Sequence, residues 1–161
     1  MKNITLTLII AMLSAVTAAT ADDAKPAASE EVWYEYDSGL GADGYDVVAY
    51  FGKDDKDGEA VRGDVRYVAE YDGKTWHFVN DDNRQAFVDE PSKYTPQYGG
   101  HCAYAASHKA QAFGDPEAWT VHNDKLYFNY SDPVRTRWEI GVNGHITRGD
   151  VYWRDTVLKK P

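Results

Sequence analysis

The sequence predicts an α+β domain, a small antiparallel sheet built from hairpins and covered by several short helices. Two observations predict the sheet and one the cover. Residues 66–80 and 118–131 each alternate apolar and polar side chains on either side of a two-residue turn, the pattern of a half-buried hairpin. Between and after them lie short segments with a capping residue at one end and a proline or glycine stop at the other. Five tryptophans, 12 tyrosines and five phenylalanines supply the core. Aromatic side chains bury a large area each, so a small domain rich in them needs no disulfide.

The chain opens with the three parts of a secretory signal. Lys2 gives a positive start, Ile4 to Val16 form a mostly apolar run, and Ala19-Thr20-Ala21 offers the small-x-small cleavage pattern. The apolar run is shorter than the roughly 20 residues that span a bilayer. Residues 1–21 therefore read as a cleaved signal, and the mature chain is expected in the periplasm or secreted, with no membrane span. Residues 22–32 are small and polar and read as a flexible leader. Residues 33–161 read as one domain, long enough for a real core.

In "RYVAEYDGKTWHFVN", Asp72-Gly73 suits a two-residue turn because both residues tolerate positive φ. Closing the hairpin there pairs Ala69 with Trp76 and Tyr67 with Phe78 on one apolar face, and puts Glu70, Thr75 and His77 on the other. In "AWTVHNDKLYFNYS" the same logic around Asn123-Asp124 gathers Trp119, Val121, Leu126 and Phe128 opposite Thr120, His122, Lys125 and Tyr127. The expected helices are four. "DDNRQAFVDEP" has an Asp or Asn cap, Phe87 and Val88 for burial, and Pro91 as a stop. "HCAYAASHKAQA" is alanine-rich and follows two glycines. "SDPVRTRWEIG" has Ser131 or Asp132 as cap, Pro133 near the first position and Gly141 at the end. Residues 147–157 form the last.

The formal charge is −9, and losing Lys2 with the signal lowers it by one more. An acidic chain with scattered basic residues is a poor partner for nucleic acid or an anionic membrane. Phosphate-binding and dinucleotide loops do not occur, and residues 52–59, "GKDDKDGE", lack the spacing and final glutamate of a calcium loop. The acidic pairs Glu30-Glu31, Asp54-Asp55 and Asp81-Asp82 fall in leader or turn segments, where solvated charge is the default. Nothing here compels an enzyme.

"GYDVVAYF" (44–51), "YDGKTWHF" (71–78), residues 83–105, "GDPEAWTV" (114–121) and "KLYFNYS" (125–131) together resemble the exported bacterial YHS-domain proteins. The resemblance covers about Gly44 to Trp153. Its most specific part is Lys93-Tyr94-x-Pro96-x-Tyr98-Gly99-Gly100-x-Cys102-Ala103. It implies a metal-handling role, copper above all, and a cysteine position sometimes held by selenocysteine, so that the chemistry of the chalcogen matters. Metal-binding versions carry further cysteines after the first hairpin. This chain has Phe78-Val79-Asn80-Asp81-Asp82-Asn83 there, so a four-ligand structural zinc site is unsupported.

Cys102 is the only cysteine in an exported chain, where cysteines usually pair. Gly99-Gly100 lets the backbone turn sharply, and a helix starting next would put Cys102 in a first turn, where unpaired N–H groups favour a thiolate. A protonated His101 would add charge. A metal needs further ligands. His101 and His108 are seven residues apart, about 10.5 Å along a helix, and His108 lies roughly 120° around from Cys102. Partners must come from elsewhere: His77, His122 or His145. The expected site is thus Cys102 with His101, His77 and His122 holding a soft ion, copper in the first place. Tyr94, Tyr98, Gly99, Gly100 and Trp119 are its expected wall. Two further readings stay open. One is a thiol-redox or peroxide-responsive protein using Cys102 without metal; with no C-x-x-C motif it is not a self-contained dithiol oxidoreductase. The other is a structural or interaction module, docking to a periplasmic partner protein, in which Cys102 is simply packed.

Overall fold

The computed structural model of the protein describes residues 32–52 and 60–159. The expected signal, all of the leader but Val32, and the acidic segment 53–59 lie outside the described residues. Within them, two antiparallel hairpins and several short helices form an α+β architecture.

The first hairpin joins β1 (Asp64–Tyr71) to β2 (Lys74–Phe78) through Asp72-Gly73, whose φ angles of 54° and 78° are those of the expected turn. Ala69 faces Trp76 as anticipated. Tyr67 does not face Phe78: the register shifts between Asp64 and Val68, and Phe78 pairs with Asp64. A close backbone approach accompanies the shift. A Cβ on Gly63 would lie 2.3 Å from the carbonyl carbon of His77. The irregularity leaves Trp76 and Phe78 buried while Val65 turns to solvent.

Asn80 then caps α1 (Asp81–Asp89), its Oδ1 accepting the N–H of Asn83 at 2.8 Å. Phe87 is buried, but Val88 is exposed, so only one of the two expected anchors serves. Pro91 ends this helix and also begins the four-residue α2 (Pro91–Tyr94). A 3₁₀ turn, Gln97–Gly100, leads into α3 (Ala103–Ser107), which is much shorter than the alanine-rich run suggested. Its extension is pre-empted, because the chain doubles back and Cys102 N–H donates to Ala112 C=O at 3.0 Å.

The second hairpin joins β3 (Asp115–His122) to β4 (Lys125–Asn129) through Asn123-Asp124, both at positive φ. Trp119 pairs with Phe128 and Val121 with Leu126, as the alternation required. The two hairpins do not merge: each remains its own two-stranded sheet. Nor is β4 greasy on one side only. Leu126 and Phe128 enter one core cluster with Trp76, Phe78, Phe87, Tyr50 and Trp119. Tyr127, expected on the polar face, enters a second with Tyr98, Ala103, Trp138 and Trp153.

That second cluster is closed by α4 (Asp132–Glu139), by α5 (Val142–Tyr152) and by a wide π turn, Trp153–Val157. Gly141 breaks the chain between the two helices at φ 82°. None of these helices is long and apolar enough to cross a membrane.

Candidate functional site: the sulfur of Cys102

Three strained-looking residues deliver Cys102. Tyr98, Gly99 and Gly100 all have positive φ, at 55°, 59° and 83°. Gly99 is irreplaceable by geometry as well, since its Cβ would stand 1.7 Å from the carbonyl oxygen of Val32. The expected sharp turn is therefore real, and it packs the start of the domain against the site; Tyr34 N–H donates to Gly99 C=O at 2.8 Å.

Cys102 is not in the first turn of α3 but is its N-cap, with extended rather than helical ψ (118°). It is 1% exposed and forms a parallel bridge with Phe128 of β4. Its Sγ accepts the N–H of Ala105 at 3.5 Å, the contact an oxygen makes at an ordinary N-cap. On its other side lies Asn129, wholly buried, with Oδ1 3.9 Å from Sγ. The same Oδ1 accepts the N–H of Tyr104 at 3.1 Å. Sulfur and amide thus share the free N–H groups at the start of α3. The amide orientation is fixed by that bond, because turning it over would set NH₂ against N–H. Nδ2 is left buried with no acceptor among the described residues. An orphaned buried donor is uncommon and calls for an explanation.

The histidines do not converge here. His101 is 8% exposed, with Nδ1 3.0 Å from Tyr98 C=O and Nε2 3.5 Å from the Gln111 amide. Its ring packs against Tyr34 and Trp153, at centroid distances of 5.3 and 5.2 Å. A carbonyl only accepts, so Nδ1 carries the proton. Burial holds the imidazole below its ordinary pKa, and it adds no positive charge. His77 sits at mid-strand in β2, while His122, at the end of β3, reaches across to Asn143 of α5, Nε2 to Oδ1 at 3.1 Å. Among the described residues no group of three or more His, Cys, Asp or Glu side chains is gathered to hold a metal. The sulfur meets one N–H, from Ala105, and one amide oxygen, from Asn129, and neither is the nitrogen or thiolate ligand that copper takes. The surroundings do not fit a copper centre of three or four ligands.

Of the expected wall, Gly99 and Gly100 form the turn that leads into Cys102, and the Tyr98 side chain turns to the second core cluster. Tyr98 packs against Tyr127 and Trp153 and donates its hydroxyl to Asp150 at 2.9 Å. Burial and that carboxylate raise its pKa far above the ordinary tyrosine value. Tyr94 and Trp119 belong instead to the other core cluster, against Phe51 and Tyr50. The residues that sequence reasoning missed are Ala105, which contributes only a backbone N–H, and Asn129. The alternation of β4 carried a signal for Asn129, since it shares the face of Tyr127, which proved to be buried.

Comparison with known proteins finds no family model that matches the chain and no similar curated protein or solved structure.

Proposed function

We propose that the protein is an exported, metal-free thiol-redox domain in which Cys102 responds to peroxide. The observation that carries this reading is the polar setting of a buried sulfur: Sγ accepts the N–H of Ala105 and the thiol faces the Asn129 amide oxygen at 3.9 Å, while the Nδ2 of that amide has no acceptor among the described residues. A sulfur serving only as a small hydrophobe has no use for either. A serine would cap α3 with a shorter bond, so capping alone does not call for sulfur. An amide that offers both an acceptor and an unused donor suits the group that only sulfur chemistry creates, a sulfenic acid, whose O–H both donates and accepts. Asn129 Nδ2 would then find its acceptor on the oxidised side chain. The resemblance to exported YHS domains, in which selenocysteine sometimes takes the cysteine position, agrees with this reading.

The step balances without a cofactor. The sulfur gives up its proton and attacks one oxygen of hydrogen peroxide, the O–O bond breaks, and the leaving hydroxide takes the proton to become water. Sulfur loses two electrons and the peroxide gains them, leaving Cys–SOH. With 1% exposure only a small oxidant reaches the sulfur, and with no second cysteine in the chain an external thiol must reduce it again.

Intact-mass measurement on the mature protein tests the reading. Both methionines, Met1 and Met12, lie in the expected signal, so the oxidation-prone sulfur of the mature chain is Cys102 alone. The expected result is a gain of one oxygen under mild peroxide, reversed by a thiol reductant and absent in Cys102→Ser. A folded protein that stays unmodified, or one purified with stoichiometric copper that Cys102→Ser loses, overturns it.

A further inference from the structure

We propose that the groove between the end of α3 and the C-terminal half of α5 binds a small organic carboxylate. The groove encloses about 330 Å³, within the range of small-molecule sites, and its lining includes Lys109, Arg148, Val151, Tyr152, Ser107 and Asp155.

The charges make the case. Most described lysines and arginines of this acidic chain hold a carboxylate: Arg62 with Asp43, Arg66 with Asp64, Lys74 with Glu35, Arg84 with Asp81, Lys93 with Glu90, Arg135 with Asp132, and both Arg154 and Lys159 with Asp155. Among the described residues Lys109, Lys125, Arg137 and Arg148 do not, and two of these four line this one groove. Asp155 does not serve them, because its carboxylate is already taken by Arg154 and Lys159 at 3.0 and 3.1 Å.

Arg148 is held by a neutral partner instead. Its Nη2 donates to Nδ1 of His145 at 3.0 Å, which makes that nitrogen an acceptor. The hydroxyl of Ser107 lies 2.8 Å from the same nitrogen and gives its one proton to Tyr104 C=O at 2.7 Å. The guanidinium is therefore positioned without being neutralised, and most of its N–H fork remains for a ligand. A planar fork matches a carboxylate. Val151 and Tyr152, which both line the groove, offer apolar surface for the body of an organic acid, which inorganic phosphate lacks. The π turn that carries Asp155 directly follows this face, and such wide turns recur at functional sites.

Titration of the isotope-labelled mature protein with benzoate, followed by NMR, tests the assignment. Saturable shifts at Arg148, Val151 and Tyr152 are expected, with affinity lowered about ten-fold in Arg148→Gln and several-fold in Lys109→Gln, as the loss of a charge-assisted contact requires. Both positions are exposed, and unchanged spectra elsewhere certify the fold. Three results overturn the proposal: shifts that never saturate, equal binding of uncharged benzamide, or inorganic phosphate binding as well as benzoate.

Discussion

Asp46 is fully enclosed, and every contact of its carboxylate is a donor. It accepts the N–H groups of Val48, Ala49 and Val79 at 2.9, 3.2 and 2.9 Å and the Asn83 amide at 2.7 Å. One side chain thereby ties the turn after Tyr45 to the end of β2 and the start of α1. Asp46→Ala strands three donors, the N–H groups of Val48 and Val79 and the Asn83 amide, while Ala49 N–H keeps the Asp46 C=O, and should cost about 3 kcal/mol or more in urea unfolding. Cys102→Ser is the opposite case. Oxygen caps α3 as well as sulfur does, and the side chains differ little in volume, so stability should move by less than about 1 kcal/mol. A large loss on that substitution would show that packing, and not chemistry, retains the sulfur.

At the scale of elements, both hairpin turns were legible in the sequence, because each rests on local chemistry, Asp72-Gly73 and Asn123-Asp124 at positive φ; a cap at the start of α1 was legible too, but it is Asn80, one residue before the stretch expected to supply it. The misreadings have tertiary causes. Alternation along β1 says nothing of the shift that brings Phe78 to Asp64, and an alanine-rich run says nothing of Ala112 returning to Cys102. The candidate site was half legible. Gly99, Gly100 and Cys102 are close in sequence, whereas Asn129 reaches the sulfur from another element, His77 lies on β2 and His122 reaches Asn143. The Gly99 turn gives a sharp prediction. With φ at 59° and Val32 O in the way of any Cβ, Gly99→Ala must displace the segment around Val32 and Trp33. The expected cost is about 2–4 kcal/mol, with proteolytic nicking near residue 33 well before the rest of the domain unfolds.

Across the whole molecule, β4 is the partition between two core clusters, with Leu126 and Phe128 on one side and Tyr127 on the other. Both clusters should therefore unfold together in one transition. Acid should weaken them from one side. His101 is held below its ordinary pKa by burial, and His145 is lowered by burial first and then by Arg148 and His108. The unfolded chain takes up these protons before the folded one, so their contribution is complete above the unfolded value of about 6.5 and is lost as pH falls below it. Urea midpoints should decline from pH 7 to pH 5, and less steeply in His101→Gln.

The central claim is that the folded surroundings of Cys102 serve its chemistry. Its most direct test is the rate of Cys102 oxidation by hydrogen peroxide at neutral pH, measured in the native protein and again in urea. The account predicts that the native sulfur reacts at least as fast as the unfolded one, despite its burial. A native rate that is far slower and rises only with the unfolded fraction would contradict it, and would make Cys102 a packed residue of a binding module.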